Sequence, residues 1–142
     1  MTVAAILSTK GGDVLTIESG TLVREAVTML ADRRIGALPV VRDGAVVGIM
    51  SERDVIYRLR SDGAAVLDWA VERIMTAPAI AVQPDHDIMG ALSLMTKRRI
   101  RHLPVLDGDR IVGIVSIGDV VKFRLGEMEQ ESSALRDYIL TA

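Results

Sequence analysis

Cysteine is absent from the 142-residue chain. That excludes disulfides, thiolate metal sites and cysteine nucleophiles. Histidine occurs only at His86 and His102, too few for a His-rich metal site, and no metal is expected. Aromatic residues make up 3% of the chain. The core must therefore be aliphatic, and the stacking side chains that single-stranded nucleic acid needs are scarce. Neither charge dominates: the formal net charge is −2, which gives no global pull toward nucleic acid or an anionic membrane. Apolar runs fall well short of the ~20 residues of a membrane span. The first seven residues carry no basic segment of the kind that opens a signal peptide. Together these absences lead to the expectation of a soluble cytoplasmic protein. Walker A, Gly-x-Gly-x-x-Gly, His-Glu-x-x-His and Gly-x-Ser-x-Gly motifs are also missing. No nucleophile stands beside a base, so an enzyme is not expected.

What is present is a repeat. Ile35-Gly-Ala-Leu-Pro-Val-Val41 returns 65 residues later as Ile100-Arg-His-Leu-Pro-Val-Leu106, and Gly48-Ile-Met-Ser-Glu-Arg-Asp54 returns as Gly113-Ile-Val-Ser-Ile-Gly-Asp119. The register holds without a gap between residues 14–60 and 79–125, as two copies of one supersecondary unit require. Each copy opens with a short aliphatic run, at 14–17 and 79–82, that reads as a strand. Val23, Ala26, Val27 and Leu30, and then Ile88, Ala91, Leu92 and Met95, recur at helical spacing. Ser19 or Thr21 is the expected cap of the first of these helices and Asp85 of the second. Paired aliphatic runs follow at 37–41 with 45–50 and at 103–106 with 111–115. An Asp-Gly turn joins each pair, a hairpin signal. Ser51 and Ser116 then cap a second helix in each copy.

The expected fold is therefore α/β (α+β): two strand-helix-strand-strand-helix repeats packed about a pseudo-two-fold axis. Repeat one is placed at 1–62, repeat two at 66–126 and a C-terminal helical extension at 127–142. Residues 61–65 are the connector, and 3–7 and 68–75 are short helical lead-ins to the units that follow them. Trp69, among apolar neighbours, reads as packing.

The Ser-x-x-Asp pair carries chemistry of its own. A carboxylate accepts two hydrogen bonds from a vicinal diol such as that of ribose. The helix N-terminus beside it favours an anion. Ser51 with Asp54 and Ser116 with Asp119 are thus candidate ribose ligands. The plainer alternative is a helix cap with a first-turn acid. Five basic residues crowd Lys97-Arg98-Arg99-Ile100-Arg101-His102. Lys97, Arg98 and Arg99, like Arg33 and Arg34, suit a helix C-terminus.

The two motif pairs resemble the cystathionine β-synthase (CBS) domain family, whose signature is an aliphatic-Pro-Val strand, a turn, and Gly-aliphatic-aliphatic-Ser/Thr-x-x-Asp. The chain is similar to free-standing bacterial CBS pairs. The resemblance implies a base slot built from Ile49, Ala37, Ile100, Thr76 and Ile80 beside Asp54. A second is implied by Ile114, Ile35, Gly36 and Leu15 beside Asp119, with Arg101 and Lys10. Gly36 is expected to let a ligand approach the backbone. The resemblance also implies phosphate contacts from Arg101 and His102, with Arg53 and Lys10 as further candidates.

The implied ligand is an adenine nucleotide (AMP, ADP, ATP or NAD(H)), sensed without turnover to report energy or redox state through a conformational or oligomeric change. The implied partners are a second CBS pair, forming a homodimer, and an unidentified effector protein, with no nucleic acid and no membrane. The alternative is a protein-interaction scaffold whose clefts are vestigial. The apolar face of 127–140, with Met128, Leu135, Tyr138 and Ile139, is read either as folded back on its own domain or as a dimer or partner contact.

Overall fold

A computed structural model describes residues 1–141; the last residue of the expected C-terminal extension, Ala142, lies outside them. The helices are α1 (Val3–Lys10), α2 (Val23–Arg33), α3 (Glu52–Asp62), α4 (Ile88–Arg98) and α5 (Ile117–Thr141). The strands are β1 (Ile17–Glu18), β2 (Ala37–Arg42), β3 (Ala45–Ser51), β4 (His102–Asp107) and β5 (Arg110–Ser116). Two short 3-10 turns, Gly63–Asp68 and Val71–Arg73, link the halves.

Both hairpins form where alternating aliphatics flank Asp-Gly. The β2–β3 turn places Asp43 at φ 52° and Gly44 at φ 80°, the left-handed pair that matches strand twist. In β4–β5 the left-handed residue is Gly108, at φ 64°. Each hairpin carries a register shift at the same place, between Val40 and Val41 and between Val105 and Leu106. The repeat is thus preserved in detail.

The opening strands are shorter than the aliphatic runs suggest. β1 holds two residues paired in parallel with β2, and the run at 79–82 yields a single bridge, Val82 to Val105. The difference has a cause. Ser19 N–H donates to the Val41 carbonyl (2.9 Å) and extends the first ladder. Its counterpart in the second copy is Pro84, which has no N–H to donate. The first-helix caps also differ from expectation. Neither Ser19 nor Thr21 caps α2: Leu22 stands at the cap without a side-chain bond, and Trp69 O accepts from Val23 N–H (2.8 Å). In α4 the cap is Asp87, accepting from Gly90 N–H at 3.0 Å, and not Asp85.

The lead-ins are exchanged between the repeats. α1 precedes the first unit but buries Val3 and Ile6 in the core of the second, among Val82, Ile88, Met95, Leu103 and Val115. Val3 N–H donates to His86 O (2.8 Å), and Ile88 N–H donates to Met1 O (3.1 Å). The 3-10 segment precedes the second unit but buries Val66, Val71 and Ile74 in the core of the first, with Val23, Leu38 and Met50. Val71 N–H bonds to Thr21 O (2.8 Å) as the mirror of Val3 on His86. Chain order thus misassigns both lead-ins, because each apolar stripe is covered by the unit it does not precede. Trp69 packs against the first core, with the Arg73 guanidinium 3.7 Å over its ring.

Candidate functional site

Two clefts flank the pseudo-dyad where β3 and β5 approach each other. The first is built on the N-terminus of α3. Ser51 caps it: the hydroxyl accepts from Asp54 N–H (3.3 Å), and the Asp54 carboxylate accepts from Ser51 N–H (2.8 Å). Asp54 Oδ1 also accepts from the Thr76 hydroxyl at 3.2 Å. Capping and ligand roles are therefore compatible. The cap fixes the carboxylate, and a carboxylate's four lone-pair sites leave capacity for a further donor.

Ala37, Ile49, Thr76, Ile80 and Ile100, all expected beside Asp54, line this cleft together with Ser51 and Gly36. Ile35 borders the groove and cleft on the other side of Gly36. Arg53, Arg101 and His102 close the first cleft's polar end. Space there measures about 550 Å³ counted to the open mouth, with about 60 Å³ of interior room for water. Arg101 was expected in the Asp119 cleft. The structure brings it to Asp54's, where its guanidinium meets Glu52 at 3.2 Å. Glu52, which the sequence reading passed over, is the only carboxylate besides Asp54 among the residues lining this cleft. Its sequence signal is that its counterpart in the repeat, Ile117, is apolar. Arg53 donates to Arg99 O (2.7 Å), closing the C-terminus of α4.

His102 stands at the centre and borders both clefts and the groove between them. Burial, and then the neighbouring Arg101 charge, hold its pKa below the ordinary histidine value. Gly36 borders both clefts, and a further constraint acts on it. A Cβ at that position would lie 2.9 Å from His102 Cε1, so the space left by the missing side chain is taken by the imidazole.

The second cleft, about 1010 Å³ counted to the open mouth, is lined by Lys10, Leu15, Ile35, Gly36, Ala37, Ile114 and Ser116; Asp119 is not in that lining but borders a neighbouring hollow with Lys10 and Lys122. Ser116 N–H donates to Asp119 (2.9 Å), and Asp119 N–H donates back to the serine hydroxyl (3.1 Å). Lys10, expected at a phosphate, lies instead on the carboxylate: Nζ donates to Asp119 Oδ2 (2.7 Å) and to Ile114 O (2.8 Å). The first cleft explains this placement. There Thr76 makes the equivalent contacts, its N–H to Ile49 O (2.9 Å) and its hydroxyl to Asp54. The exchanged lead-in of the second unit presents Lys10 at that point. Lys10 and Ser116 hold Asp119 below the usual carboxylate range against the opposing effect of burial. Among the described residues no cluster of metal-ligating side chains occurs, and no helix is long and apolar enough to cross a membrane.

The family model for the CBS domain matches residues 3–61 and 71–126. The chain belongs to the CBS-domain family. As a tandem CBS pair, it is 35% identical over 147 residues to the mitochondrial CBS domain-containing protein CBSX3 of Arabidopsis thaliana, covering 97% of this chain and 71% of that one. The crystal structure of the CBS-domain protein ATU1752 from Agrobacterium tumefaciens superposes with a TM-score of 0.84 at 38% identity, covering 87% of this chain and 99% of that one. The CBS pair of protein MJ0100, solved with 5-methylthioadenosine and S-adenosyl-L-methionine, matches with a TM-score of 0.79 at 29% identity over 89% of this chain and 98% of that one.

Proposed function

We propose that this CBS pair is a regulatory sensor of adenine nucleotides (AMP, ADP, ATP or NAD(H)) that binds without turnover, as a homodimer in the cytoplasm read by an effector protein. One observation carries the reading: the Asp54 cleft gathers an aliphatic slot, a fixed carboxylate and a cationic end in a single lining. Adenine lies between Ile49, Ile80 and Ile100, a ribose hydroxyl donates to the remaining lone pair of Asp54, and the phosphate meets Arg101 and His102. The adenosine ligands of MJ0100 support the ligand class.

The narrow interior gives binding a consequence. A nucleotide parts Arg101 from Glu52 and Arg53 from the α4 C-terminus, so occupancy changes contacts across the dyad. The Asp119 cleft is the weaker site, because Lys10 already occupies its carboxylate. Ser116, Ile114, Ile35, Gly36 and Leu15 form that second slot.

Titration calorimetry against AMP, ATP, NADH and S-adenosylmethionine tests the proposal. Saturable binding of one of the nucleotides, with the ligand recovered unchanged, is expected. Silence with all four, in heat and in thermal shift, refutes it in favour of the scaffold reading.

A further inference from the structure

α5 outruns the body it belongs to. Its first turns are anchored by Ile117, Val120 and Phe123 on the second core, but every residue from Met128 to Thr141 is exposed. An isolated helix of that length is marginal in water, and this one carries Gly126, Ser132 and Ser133. The projecting helix needs a partner.

Its free face says which. Val121, Leu125, Met128, Leu135 and Ile139 are 50–64% exposed. With Ser132 they follow one another at alternating steps of four and three residues. That is the 3.5-residue period of a two-helix seam, with Ser132 as its one polar layer. The flanking charges select the orientation. In a parallel, in-register pair the residue just before each of seam positions 125 and 132 faces the partner residue five positions on. Arg124 then meets Glu129 of the other copy, and Glu131 meets Arg136. An antiparallel pair of full overlap sets Glu129 on Glu129, Glu131 on Glu131 and Lys122 on Arg136, all of like sign.

We infer that α5 forms a parallel two-stranded coiled coil with α5 of a second copy of this chain, along the Val121–Leu125–Met128–Leu135–Ile139 seam. The inference deepens the homodimer reading and rests on it, since it names the joining surface and sets the two CBS pairs side by side in the same direction.

The absence of native cysteine makes the test direct. Leu135→Cys lies in the seam, and Asp137→Cys lies on the far face of the same turn. In the full chain under mild oxidation, Leu135→Cys is expected to give a disulfide-linked dimer while Asp137→Cys stays monomeric on a denaturing gel. A Leu135→Glu/Ile139→Glu variant, altered only on the exposed projection, is expected to weaken dimerisation at least tenfold by analytical ultracentrifugation with the repeat cores intact by thermal melting. Efficient crosslinking of a Leu125→Cys and Leu135→Cys mixture, with none for Leu135→Cys alone, overturns the parallel arrangement. A wild-type dimer unaffected by the double Glu variant overturns the surface and leaves the homodimer reading standing. A wild-type monomer overturns both.

Discussion

Ile6→Ala tests the exchanged lead-in. Ile6 is 3% exposed and sits in the core of the second repeat, although it belongs to the first helix of the chain. Truncating a buried Ile to Ala costs about 2–5 kcal/mol, the transfer term plus the cavity left behind. α1 is only eight residues long and is pinned at its start by backbone bonds to His86 and Pro84, so it can relax partway and the lower half of that range is expected. For a chain of this size, roughly 4 °C per kcal/mol gives a melting temperature about 8–14 °C lower, read by circular dichroism. The location matters more than the size. In hydrogen exchange monitored by mass spectrometry, β4, β5 and α4 should lose protection while β2 and β3 keep theirs. The second cleft should loosen with them, because Lys10 ends the same helix. Loss of protection in β2–β3 with β4–β5 unchanged would refute the exchange.

Gly48→Ala should destabilise the protein by about 1–3 kcal/mol, because the new Cβ would lie 2.7 Å from Met75 Sδ and 2.8 Å from Thr76 O. Gly126→Ala meets nothing within 4 Å in the interior of α5 and should stabilise by about 0.5–1 kcal/mol; chemical denaturation compares the two. The lowered pKa of His102 means that the unfolded state binds the proton first as pH falls. Its contribution to stability is therefore full above the unfolded value of 6.5 and is lost as pH drops from there through the folded value. His102→Gln should flatten that part of a melting-versus-pH curve. Asp119 is shifted below its ordinary value, so its contribution is present above the unfolded pKa and lost as pH falls through the folded one. Lys10→Met should raise the Asp119 midpoint in a carboxyl-carbon NMR titration, and an unmoved midpoint would show that the contact is absent in solution.

The hairpins and the Ser-x-x-Asp caps were legible because each rests on local chemistry: Asp-Gly between aliphatic runs, and a serine three residues before an acid. The aliphatic linings of the two clefts were legible through repeat symmetry joined to the family resemblance. What escaped depends on contacts far apart in sequence. The exchange of lead-ins could not be read from Val3 and Ile6, since an apolar stripe does not say which of two similar cores will cover it. Lys10 was placed in the right cleft, but its bond to the Asp119 carboxylate was not foreseen, because that contact follows from where α1 docks. Arg101 turns toward the first cleft, where its half-exposed guanidinium meets Glu52 of the first repeat, a residue whose equivalent in the second is apolar. The shortened opening of the second sheet was visible in principle in Pro84, whose missing N–H stands where Ser19 donates.

The central claim is that Asp54 holds an adenine nucleotide in the first cleft while Asp119 is occupied by Lys10. The most direct measurement is titration of AMP into the wild type, Asp54→Ala and Asp119→Ala side by side. Losing a hydrogen bond to a charged group costs about 1.5–3 kcal/mol, so Asp54→Ala should weaken binding roughly ten- to hundredfold, with Asp119→Ala close to wild type at the tighter site. Equal affinity for wild type and Asp54→Ala, or a loss confined to Asp119→Ala, would contradict the account.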